Sequence, residues 1–129
     1  MNFSPLPTET EMIASAVIGA AIAVHQELGP GFLEKIYQEA LWMELAARQI
    51  EHQREFAVPV RYRGEIIAMQ RMDLVVAHVV IVELKASSRI EPVHEAQLIS
   101  YLRATGLRLG LLLNFNCRTM KEGIKRLVR

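Results

Sequence analysis

Apolar residues first recur at helical spacing. Met12, Ile13, Ala16, Val17, Ala20 and Val24 form one stripe of a helix predicted over 8–28. Thr8, with Glu11 three residues on, has the spacing of a capping box. Residues 1–7 read as an irregular lead-in, and Gly29-Pro30-Gly31 breaks the helix by joining a fixed φ to two flexible residues. A second helix is predicted over 33–48, with Leu33, Ile36, Tyr37, Ala40, Leu41 and Leu45 on its buried side. From Glu55 the period shortens to two. Phe56, Val58, Val60 and Tyr62 alternate with polar or small residues, Arg63-Gly64-Glu65 supplies a hairpin turn, and 66–76 is the returning strand.

A short turn near Ala77-His78 leads into a strand over 79–86 that is almost wholly apolar until Glu83 and Lys85. After a loop over 87–92, a helix is predicted over 92–105 with Gly106 as its C′ residue, then a buried strand over 109–115. The tail, 120–129, fits either a short helix or a final edge strand. This order predicts one α/β domain over 1–129, with a mixed central sheet flanked by helices. The last strand–helix–strand step is expected to be a right-handed crossover that gives a parallel pair.

Composition adds bounds. A chain of 129 residues with 51% apolar and 22% charged residues suits one globular core. The formal net charge of +1 excludes a polybasic tail, yet 11 of the 15 basic residues are Arg, which favours local phosphate contacts. The single Cys117 excludes an internal disulfide and a Cys-cluster zinc site. The apolar run Ile13–Val24 lacks a basic leader, follows Glu9 and Glu11, and is short for a bilayer. The expectation is a soluble, cytoplasmic protein with no membrane partner.

The chemistry concentrates on the third strand. Alternation puts Glu83 and Lys85 on one face and Leu84 on the other. Charges at the end of a buried strand cost several kcal/mol unless paired or bound to a metal. With Asp73 one strand earlier, Glu83 and Lys85 suit joint binding of a divalent cation and a phosphate; a surface ion pair is the plainer reading of the same residues. Gln97 and Tyr101, at i,i+4, share a helix face with His94 one turn earlier and offer neutral hydrogen bonds to a phosphate or a water. Their plainer reading is a half-buried Tyr and a solvated Gln. Glu34 and Tyr37 lie one turn apart at the start of the second helix, where Glu34 also suits the helix dipole. His25 reads as a helix-end cation, a satisfied core histidine or a site residue.

Several of these segments together resemble a known family. Gly31-Phe-Leu-Glu34-Lys-Ile-Tyr37 is a full copy of the motif that names the GxxExxY proteins of the PD-(D/E)XK nuclease superfamily. The likeness continues through Arg71-Met-Asp73, Val82-Glu83-Leu84-Lys85, Gln97-Leu-Ile-Ser-Tyr101 and Gly110-Leu-Leu-Leu-Asn-Phe115. The resemblance implies a restriction-endonuclease-like α-β-β-β-α-β core with its site at one end of the sheet. It implies Asp73 and Glu83 as metal ligands for Mg²⁺ or Mn²⁺. Lys85, Glu34, Gln97 and Tyr101 are implied as catalytic residues, with His25 and Tyr37 supporting. Met72 replaces the literal proline of the motif. The implied activity is metal-dependent hydrolysis of DNA phosphodiester bonds, and the small core suggests a homodimer. A non-catalytic nucleic-acid- or partner-binding module, and a phosphodiesterase acting on RNA or a nucleotide, are the alternatives.

Overall fold

The computed structural model describes residues 4–129; residues 1–3 of the expected lead-in lie outside the described residues, and 4–7 are irregular. The elements are α1 (Thr8–Leu28), α2 (Glu34–Ala47), β1 (His52–Tyr62), β2 (Glu65–Val76), β3 (Val80–Lys85), α3 (Pro92–Thr105), β4 (Leu109–Asn114) and β5 (Ile124–Val128). They form a small α/β domain with a five-stranded mixed sheet in the order β1-β2-β3-β4-β5. The expected parallel pair is β3–β4, and the remaining neighbours are antiparallel. The ambiguous tail does both things expected of it: a single 3-10 turn (Met120–Gly123) precedes β5, an edge strand.

Helices cover both faces. Leu74, Val76, Val82, Leu84, Leu111 and Leu113 pack with α1 and α2, whereas Val75, Ile81 and Leu112 pack with Leu98, Tyr101 and Leu102 of α3. Burial on both sides explains why β3 and β4 read as unbroken apolar runs rather than alternating ones. Close approaches hold the layers. A Cβ on Gly110 would lie 2.8 Å from the Leu98 side chain, and one on Gly123 only 1.9 Å from the Asn114 carbonyl oxygen.

Three expectations fail locally. Pro7, not Thr8, is the N-cap of α1, and the Thr8 hydroxyl makes no capping bond, because the helix already includes Thr8. Met12 (66% exposed), Leu33 (75%) and Ile36 (41%) lie on the surface. A periodic stripe says which residues share a side, not how far the packing partner extends along it; the α1 face that is buried is made by Ala14, Val17, Ala20, Ala21 and Val24. The expectation that the first apolar run is too short for a bilayer also changes. It belongs to a 21-residue helix that by length and composition could cross one, although here its small-residue face packs into the core.

The feature that positions the site is a split in the sheet. β2 pairs with β3 only through Leu74–Val76, while it runs alongside β1 over its whole length. Glu55 of β1, at φ 47°, interrupts that ladder between Arg54↔Leu74 and Phe56↔Met72, directly across from Asp73. Beyond this point the hairpin leaves the sheet as an arm, exposed from Arg61 to Gln70 and closed by Arg63-Gly64, both at positive φ.

Candidate active site

Where β2 parts from β3, side chains replace the missing ladder bonds. The Asp73 amide donates to Glu83 Oε2 (2.7 Å), and the Leu84 amide donates to Asp73 Oδ2 (2.8 Å). Each carboxylate thus satisfies a backbone donor on the other strand. Glu83 is buried at 4% exposure. Burial first, then the adjacent charge of Asp73, pushes its carboxyl up to about 8. The two side chains also hydrogen-bond each other. At neutral pH the pair therefore keeps a proton, which two carboxylates at such close range require.

Lys85 and Glu34 flank this pair. Ile81 packs on the α3 side, so strand alternation puts Glu83 and Lys85 on that side too. The Lys85 ammonium lowers the Glu83 pKa, in part offsetting burial. Glu34, the first residue of α2, remains open to solvent, yet its carboxyl is raised by partial burial, pulled down by Lys85 and raised by Asp73. Its charge is therefore coupled to the site. Among the described residues, however, no three His, Cys, Asp or Glu side chains gather into a metal cluster. Asp73 and Glu83 form a two-carboxylate set of hard oxygen donors short of positive charge. Such a set fits Mg²⁺ or Mn²⁺, which take their remaining ligands from water or phosphate.

α3 closes the site from one side. Tyr101 is buried, and Gln70 of the arm donates to its hydroxyl (3.1 Å). Burial raises the phenol; hydrogen bonds from Gln70 and Gln97 lower it, while the charges of Glu83 and Asp73 raise it. Gln97, Tyr101, Asp73 and Glu83 are thus brought together as expected. His94 is not among them: its Nδ1 accepts the Glu91 amide (3.0 Å) at the start of α3.

His25 and Tyr37 lie behind the site and hold its loops. The Tyr37 hydroxyl donates to the Gly29 carbonyl (2.6 Å) and accepts from the Phe32 amide (3.1 Å), while its ring stacks on Phe115 at 4.8 Å. His25 Nε2 donates to the Cys117 carbonyl (2.8 Å). The spacing Gly31, Glu34, Tyr37 now has a physical reason. Gly31 adopts φ 109°, Tyr37 staples the loop, and Glu34 opens α2 toward Lys85.

Two contributors escaped the sequence reading. Gln70 falls within the returning strand over 66–76, with nothing local to single it out. Asn114 is buried beside Lys85 in the β3–β4 register; its amide donates to the Ser87 carbonyl (2.9 Å) and accepts from the Ser87 amide (3.1 Å), fixing the chain after Lys85. A polar residue ending an apolar strand was the available signal, the same one that singled out Glu83.

An Asp on one strand, a Glu-x-Lys on the next and a Gln/Tyr helix face across a mixed sheet define a nuclease-like α/β domain. The comparison of families agrees: the model of the PD-(D/E)XK nuclease superfamily matches residues 11–127, and the chain belongs to that superfamily. No significant match to a curated protein or to a solved structure was found.

Proposed function

We propose that this protein is a divalent-metal-dependent nuclease that hydrolyses phosphodiester bonds of DNA. The observation that carries the reading is the Asp73–Glu83 clasp, a buried and a half-buried carboxylate that hold a proton for want of another positive charge, with Lys85 beside them. Asp73 and Glu83 would hold Mg²⁺ or Mn²⁺, which supplies Lewis-acid polarisation of the phosphate and acidifies a water. In the proposed reaction the Lys85 ammonium orients the attacking water and offsets charge developing on the phosphate. The Tyr101 hydroxyl, kept neutral, and the Gln97 amide donate hydrogen bonds to phosphate oxygens. Glu34 completes or tunes the site. The Gly31–Tyr37 motif supports placement among the GxxExxY proteins, and a homodimer would double the footprint on DNA.

The test is cleavage by the whole chain of end-labelled single-stranded, double-stranded and branched DNA, RNA and a small nucleotide, each with Mg²⁺, Mn²⁺ or EDTA. Metal-dependent product from DNA supports the reading. Product only from RNA or the nucleotide, or none from any substrate, overturns it. A monomer mass by light scattering removes the dimer.

A further inference from the structure

The arm and α3 enclose an open groove of about 690 Å³. One wall is the apolar run Val58-Pro59-Val60 of β1; the other is the side of α3 that carries Ser100 and Arg103. The Gln70–Tyr101 hydrogen bond lies in its lining, and Gln70 stands three residues before Asp73 on β2, so the groove runs up beside the carboxylates.

Its charge is positive. Arg48, Arg71, Arg89, Arg118 and Arg126 have a carboxylate partner, and among the described residues the other six arginines have none within ion-pair distance. Arg61 and Arg103, the two arginines of the groove, are among these six. Arg61 reaches only the Gly64 carbonyl, at 3.4 Å. Two uncompensated guanidinium groups flanking an apolar wall call for a ligand that is anionic along one edge and apolar along the other.

We propose that this groove guides a single, unpaired polynucleotide strand to the Asp73–Glu83 site; the inference rests on the nuclease reading and names the form of its substrate. An unpaired strand offers an apolar base face beside each phosphate, which matches the exposed Val60 with Arg61 next to it on β1 and Arg103 on α3. A duplex keeps its base faces stacked and presents only phosphates and groove edges, leaving the apolar wall without a partner.

The test is fluorescence anisotropy with the whole chain in EDTA, where cleavage is off. The probes are single strands of about 12 nucleotides, one DNA and one RNA, and a blunt DNA duplex. The single strand is expected to bind about tenfold more tightly than the duplex; Arg103→Glu and Ser100→Trp should each cost about tenfold, and Lys121→Glu, outside the groove, less than about twofold. Melting curves verify that each variant is folded, and Arg61→Glu stands in for any that is not. Binding by either single strand that is lost in the groove variants supports the proposal and assigns the sugar. Duplex binding as tight as single-strand binding, or groove variants no weaker than Lys121→Glu, overturns it. Single-strand binding lost in the groove variants, with no cleavage in any metal, keeps the groove and removes the nuclease. Cleavage indifferent to the groove variants does the reverse.

Discussion

Glu83 and Asp73 hold each other's strands: Glu83 accepts the Asp73 amide at 2.7 Å, while Asp73 accepts the amide of Leu84, the residue after Glu83, at 2.8 Å. The bonds that keep the sheet closed at its split are thus made by the same carboxylates proposed to bind metal. Structure and charge are consequently linked at this point.

That link gives a pH dependence of fixed sign. Glu83 has a carboxyl raised from 4.5 to about 8, so between those values the folded chain holds a proton that the unfolded chain has released. Stability of the metal-free protein should fall as pH rises from about 4.5 to about 8 and then level off. Glu83→Gln, which keeps an acceptor for the Asp73 amide, should flatten this slope. Thermal melts in EDTA at pH 5 and pH 8 test it, and a wild-type protein more stable at the higher pH would contradict it.

A metal held by the proposed Asp73–Glu83 site would have to displace that proton. Mn²⁺ affinity by calorimetry should therefore strengthen as pH rises toward 8, with proton release that changes with buffer ionisation enthalpy. Glu83→Ala should abolish the heat of binding. Unchanged binding in that variant would remove Glu83 from the ligand set.

Tyr37→Phe keeps the ring stacked on Phe115 and deletes the hydroxyl that holds the Gly29 carbonyl and the Phe32 amide. The expected cost is about 1–2 kcal/mol in urea denaturation. Cleavage should also slow, because the loop that presents Glu34 loosens. Stability equal to wild type would show that the staple does not hold the loop.

Gly110→Ala and Gly123→Ala separate two kinds of close approach. The first meets the Leu98 side chain, which can shift, and should cost about 1–3 kcal/mol. The second meets the Asn114 backbone carbonyl and should cost more, because backbone on both sides must move and β5 loses its register on β4. Equal melting temperatures for the two variants would contradict this ordering.

How far the site was readable follows from the range of the interactions that make it. Alternation along β3 exposed Glu83 and Lys85, and the i,i+4 pair on α3 exposed Gln97 and Tyr101, because both signals are local. Gln70 was invisible, since its partner is Tyr101, 31 residues away on another element. The split between β2 and β3 was hidden for a similar reason. It coincides with a left-handed φ at Glu55 on the neighbouring strand, a conformation that the residue type disfavours. The same turn of backbone concealed the start of β1 at His52, where polar residues pair with the buried end of β2.

The most direct test of the central claim is single-turnover cleavage of labelled DNA in Mn²⁺ by wild type and by Lys85→Ala, compared at matched melting temperature and matched metal affinity. The account predicts that the variant folds and binds metal but loses at least about a hundredfold in rate, the loss expected on removing a group that stabilises transition-state charge. A Lys85→Ala protein that cuts as fast as wild type would contradict it.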